Sequence, residues 1–144
     1  MEVPAEVLQW LPIVKKHVTL HPILEPAEIL AIIWSESTGN PNSINPGDPS
    51  YGLMQITLPI AKFYGGITVR QQLFDPDRNI SIGSAFLADL KTKHQEQFPL
   101  TDLNCGWPTA YNEGETNESK HIPDPKYMAA FLSHLADLHA AGIS

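Results

Sequence analysis

The residue best placed to do chemistry in this sequence is Glu36. It closes the segment Ala31-Ile32-Ile33-Trp34-Ser35-Glu36 and is followed by a Gly-, Asn-, Pro- and Ser-rich stretch that cannot continue a helix. An acid at the end of an apolar helix loses water and faces the negative end of the helix dipole, and both effects disfavour its charged form. Its pKa should therefore rise. A carboxyl that keeps its proton near neutral pH can act as a general acid towards a poor leaving group such as a glycosidic oxygen. An isolated acid at a helix end more commonly just solvates that end, so the functional reading depends on the residues around it.

Other chemistry-bearing residues are less persuasive. His17 and His21 have helical spacing, but Pro22 follows them and no HExxH pattern surrounds them, so we expect no metal site. His134 and His139 are spaced for different faces of a helix. Cys105 in "NCGWP" lacks a cysteine-protease signature and reads as a buried thiol; as the single cysteine it also excludes an intrachain disulfide. Trp10, Trp34 and Trp107 read as core residues, Trp34 above all.

The elements that must position Glu36 are helical. Apolar spacing is helical almost throughout, and no segment shows sustained strand-like alternation. A first helical region carries Val7, Leu8, Leu11, Val14 and Val18, with Pro12 forcing a break or a fresh start. "EPAEILAIIWSES" has Pro26 near a first helical position, and Gly39 is its stop. "LPIAKFYGG" predicts a short helix and "TVRQQLF" at most two turns. A long helix starts near Asp75-Pro76 and presents Ile80, Ala85, Phe86 and Leu90 to the core. A weaker helix is expected between Leu100 and Asn112, interrupted by Gly106 and Pro108, and "PDPKYMAAFLSHLADLHAAG" closes the chain. The 144 residues suit one domain, residues 1–144, of a mainly α class.

Four segments then stand together in order: the Glu36-Ser37 pair, "GLMQI" at 52–56, "LFDPDRNISIGSAFL" at 73–87 and "AYNEG" at 110–114. They resemble the signature segments of the soluble lytic transglycosylase catalytic domain, related in fold to goose-type lysozyme, over about residues 20 to 133. The resemblance implies a lysozyme-like helical domain with a substrate groove, no metal or organic cofactor, and peptidoglycan glycan strands as substrate. It implies that Glu36 is the sole acid and base, and that Met54 and Gln55 line the sugar groove. It further implies that Tyr111 hydrogen-bonds the catalytic acid and that Asn112 contacts sugar or supports the site. Ser37 is expected to contact substrate or stabilise its loop, and Ser50 is counted with the substrate-binding residues. Asn79, Ile80 and Gly83 look architectural, with Gly83 permitting close helix packing.

Family chemistry explains how one acid suffices where most glycosidases use two carboxylates. The acid protonates the bond between N-acetylmuramic acid and N-acetylglucosamine, the acetamido group assists, and the same residue then draws a proton from the muramyl C6 hydroxyl. A 1,6-anhydro ring closes and water is not consumed. Two departures favour a rival outcome, a muramidase using water. Glu113 stands where the family commonly has a small residue, and Asp48 lies in the loop where goose-type lysozymes place an acid. Those enzymes place another acid where this chain has Thr57, so the hydrolase pattern is half present. Locally, Asp48 before a proline reads as a turn residue, and Glu113 as part of a solvated loop. A catalytically silent glycan-binding module is the other alternative.

The formal net charge of −7 opposes nucleic acid and anionic lipid as partners. No run approaches the length of a membrane span and no secretory leader is recognisable, so no membrane insertion is expected. A monomer acting in the periplasm or cell wall fits these features. It would be released as a phage endolysin or virion lysin, exported by a specialised route, or cut from a larger protein.

Overall fold

In a computed structural model, residues 2–113 and 122–144 are described, without the side chain of Glu113. The chain runs α1 (Ala5–Leu8), α2 (Leu11–Val18), α3 (Pro26–Ser37), β1 (Ile44–Asn45) and β2 (Ser50–Tyr51). It continues through α4 (Leu58–Gly65), a 3-10 helix (Arg70–Phe74), α5 (Pro76–His94), α6 (Thr109–Glu113) and α7 (Pro125–Ala140). Pro12 does start a fresh helix, and α3 begins at Pro26 as its sequence predicts. Asp75 caps α5, its carboxylate accepting the Arg78 amide at 3.0 Å.

Helix α3 is the axis of the fold. Ala27, Ile29, Leu30, Ala31, Ile32 and Ile33 are all fully buried, so the helix is apolar around its circumference, as a central helix must be. Helices α1, α2 and α7 pack against it, and α5 packs against α2, α4 and α6. At its start, Glu28 is held by Lys91 of α5 at 2.9 and 3.0 Å, while Lys91 also donates to the Ile23 carbonyl at 2.8 Å. Burial nonetheless raises the Glu28 pKa, the Lys91 contacts opposing it. Trp34 is core as expected, stacked on His134 of α7 with ring centres 4.0 Å apart. At the far end Thr38 takes a left-handed φ of 53° and Gly39 one of 86°, which stops the helix just past Glu36.

Three expectations are corrected here. Residues 44–51 form a small antiparallel hairpin pairing Ile44 with Tyr51 and Asn45 with Ser50; strands of two residues are too short to show alternation in a sequence. Between Leu100 and Asn112 only α6 is α-helical, because Gly106 and Pro108 hold the preceding segment in turns. Cys105 lies in those turns and is partly exposed rather than buried, its thiol pKa raised by desolvation and then by the Asp102 charge.

Asn79, 0% exposed, joins the hairpin to α5. Its amide nitrogen donates to the Tyr51 and Leu73 carbonyls, each at 2.9 Å, and its oxygen accepts the Met54 amide at 2.8 Å. Gly52 makes this approach possible: it has φ 80°, and a Cβ there would collide with the Asn79 amide and the Leu73 carbonyl. Gly83 plays the packing role expected of it, since a Cβ would occupy the space of the Met54 thioether.

Candidate active site

The hairpin, the segment following it and helices α3 to α6 line an open cleft that carries both polar and apolar side chains. Glu36 reaches it from the end of α3, and Asn45, Asp48 and Ser50 from the hairpin. Ile56, Thr57 and Ile60 form one wall, while Phe86, Tyr111 and Asn112 form another. Glu36 is partly buried, and its pKa is pushed up to about 7 by loss of solvation, against the opposing effect of a hydrogen bond from Tyr127. The expected direction of the shift is therefore present, with burial its principal cause.

The tyrosine that holds Glu36 is a different one from that expected. Tyr127, in the first turn of α7, donates through Oη to Glu36 Oε2 at 2.8 Å. Tyr111 instead donates to the Met54 carbonyl at 2.6 Å. Burial raises both phenol pKa values well above their ordinary 10, and the Glu36 charge adds to the shift, so both remain protonated donors. Local sequence offered one signal for Tyr127: it precedes Phe131 by one helical turn, on a stripe that continues to the core residues Leu135 and Leu138.

Met54 does not face the groove. Its side chain is 0% exposed and packs against Gly83, while its backbone serves Tyr111 and Asn79. Gln55 does line the cleft, but its two amide protons are already committed, to the Ser43 carbonyl at 3.1 Å and the Gly52 carbonyl at 2.9 Å. Its oxygen accepts from Ser50 at 3.0 Å. With φ at 51°, Gln55 thus braces a tight turn, and only acceptor capacity remains for a sugar. Ser37 lies outside the cleft lining and fastens the loop, donating to the Leu53 carbonyl at 2.7 Å. Asn112 borders the cleft, with its amide donating to Asp124 at 2.9 Å. Asp48 occupies the hairpin turn and also faces the cleft. The Glu113 side chain lies outside the described residues.

A carboxyl with its pKa raised to about 7, held by a neutral phenol at the edge of an open cleft, defines a candidate acid/base site on a helical fold. That fold is similar to the 70 kDa soluble lytic transglycosylase of Escherichia coli, with a TM-score of 0.57 and 24% identity, over 87% of this chain and 18% of that one. Residues 16–129 match the Transglycosylase SLT domain model. The chain is also 38% identical over 114 residues to the membrane-bound lytic murein transglycosylase C of Pectobacterium atrosepticum, covering 74% of this chain and 31% of that protein. It belongs to the Transglycosylase SLT domain family. The chain spans under a third of the length of that curated relative.

Because the Tyr127 bond favours the carboxylate, Tyr127→Phe should raise the Glu36 pKa further. The alkaline limb of the pH–rate profile should then shift upward, while kcat falls about tenfold as the carboxyl loses its fixed orientation. An unchanged alkaline limb would show that Tyr127 only fills space.

Proposed function

We infer that this protein is a peptidoglycan lytic transglycosylase, cleaving the β-1,4 bond between N-acetylmuramic acid and N-acetylglucosamine with formation of a 1,6-anhydro end. The observation that carries this is Glu36, with its pKa raised to about 7 inside the cleft. Near neutral pH a substantial fraction of Glu36 carries its proton, which goes to the glycosidic oxygen as the C1–O bond breaks. The muramyl acetamido oxygen closes on C1 during this departure. The Glu36 carboxylate, a stronger base than an exposed glutamate, next takes the C6 hydroxyl proton as O6 attacks C1 and releases the acetamide. Glu36 ends protonated, as it began, and no water enters the balance.

Membership of the family supports this reading, as does the disposition of acids in the cleft. Thr57 lines the wall where a goose-type hydrolase would carry a further carboxylate. Asp48 favours the second reading, a muramidase, because it faces the same cleft and could orient a water. Single-domain architecture, a monomeric state and action in the periplasm or cell wall accompany the proposal. Among the described residues no helix is long and apolar enough to cross a membrane.

Mass spectrometry of muropeptides released from purified peptidoglycan separates the two readings. Anhydro-muramyl ends are expected from the wild type and from Asp48→Asn alike. Reducing ends alone, lost in Asp48→Asn, would establish the hydrolase instead.

A further inference from the structure

Among the described residues, Phe63 is the one Phe, Tyr or Trp ring that is exposed, at 79%. Isolated apolar residues on a surface are ordinary, but this ring is not isolated. Its centre lies 4.8 Å from that of Tyr64, which lies 5.7 Å from Phe86, which lies 5.2 Å from Tyr111. The last two rings line the cleft with Glu36. A chain of ring contacts therefore links the cleft to the surface, from the buried Tyr111 of α6 and Phe86 of α5 through the half-buried Tyr64 of α4 to the open ring of Phe63. Ile60, one turn before Phe63 and Tyr64 on α4, belongs to the wall of the same cleft. Polar groups border these rings as well. Tyr64 donates to Asp89 at 2.6 Å, and that exposed carboxylate can accept hydroxyl hydrogen bonds from a ligand.

We propose that Phe63 is the platform of a distal saccharide subsite, stacking a sugar ring of the glycan strand beyond the bond that is cleaved. A pyranose ring has an apolar face of C–H groups ringed by hydroxyls, which suits an exposed aromatic bordered by an acceptor. The occupant is the strand already held in the Glu36 cleft, because the ring contacts join Phe63 to that cleft and Ile60 of the same helix lines it. The inference rests on the glycan-cleaving reading of the cleft. Phe63 touches no reacting atom, so its effect falls on affinity for long strands and not on the chemical step.

The test uses the full chain carrying Glu36→Gln, so that ligands stay intact, with and without Phe63→Ala or Phe63→Trp. Calorimetric affinities are measured for glycan di-, tetra-, hexa- and octasaccharides, each without and with stem peptides. Phe63→Ala should leave the disaccharide unaffected and weaken the longest chains about threefold to tenfold, while Phe63→Trp retains their affinity. Equal affinities for all lengths with and without Phe63→Ala would overturn the subsite while leaving the cleft assignment intact. Loss confined to strands bearing stem peptides would also overturn it, assigning the ring to peptide. Failure of the Glu36→Gln protein to bind any saccharide would reject the glycan reading of the cleft, and the subsite with it.

Discussion

Glu36→Gln should abolish release of soluble muropeptides, lowering turnover on the order of a thousandfold or more, because one group serves as acid and then as base. The amide keeps the shape and one hydrogen bond with Tyr127 but can neither give nor take the proton. Stability should move the opposite way. The folded protein holds the Glu36 proton up to about pH 7, whereas an unfolded glutamate releases it near 4.5. Below about pH 4.5 both states are protonated and burial of this group costs little. As pH rises through about 7, the folded state must carry a poorly solvated charge and loses about 3 kcal/mol relative to the unfolded chain. Glu36→Gln escapes that loss. Denaturant unfolding should find it more stable than wild type at about pH 8, by up to about 3 kcal/mol, and nearly equal at about pH 4. Parallel stability curves would mean that the Glu36 carboxyl is well solvated, and the acid/base assignment would fail with it.

Asn79→Ala should be the most damaging change away from the reacting atoms. The amide satisfies two carbonyls and one N–H, drawn from the hairpin, the segment before α5 and the turn at Met54. Truncation leaves all of them buried without a partner, at about 3 to 5 kcal/mol in total. That is a large part of the stability of a domain this size. Asn79→Asp should be nearly as harmful, since it sets an oxygen where the amide had donated to two carbonyls. The same turn carries the Met54 carbonyl that receives Tyr111 and the Gln55 bend that faces the cleft. Residual folded Asn79→Ala should therefore have a raised KM as well as a lowered melting temperature. A midpoint within about 2 °C of wild type would show the hydrogen bonds to be dispensable.

Much of the frame was legible in the amino acids. Pro26 at its start, unbroken apolar residues through Trp34 and the stop after Thr38 specified a buried α3 delivering Glu36 at its end. Asp75-Pro76 marked the start of α5, and Asn79 and Gly83 were recognisable as architecture. These are local properties: caps, proline positions and side-chain periodicity act within a few residues. The turn at 46–49 was equally legible, while its hairpin was not, because pairing depends on partners more than on pattern.

The contents of the cleft obeyed no such local rule. Met54 and Gln55 are neighbours in a segment that resembles a sugar-binding motif, yet one side chain is sealed against Gly83 and the other is bound into its own loop. The direction of each followed from packing around the left-handed turn at Gln55. Phe63 and Tyr64 read as ordinary residues of a short helix until α4 was set beside α5 and their rings met Phe86.

What the sequence determined alone was that a helix of apolar residues would end in a carboxyl sheltered enough to keep its proton. Tertiary structure decided which hydroxyl would hold that carboxyl. Tyr127 is 91 positions away, and it reaches Glu36 because α7 folds back along α3. A helix's rise and twist are written residue by residue, whereas the meeting of two side chains on different helices depends on how the whole core closes between them.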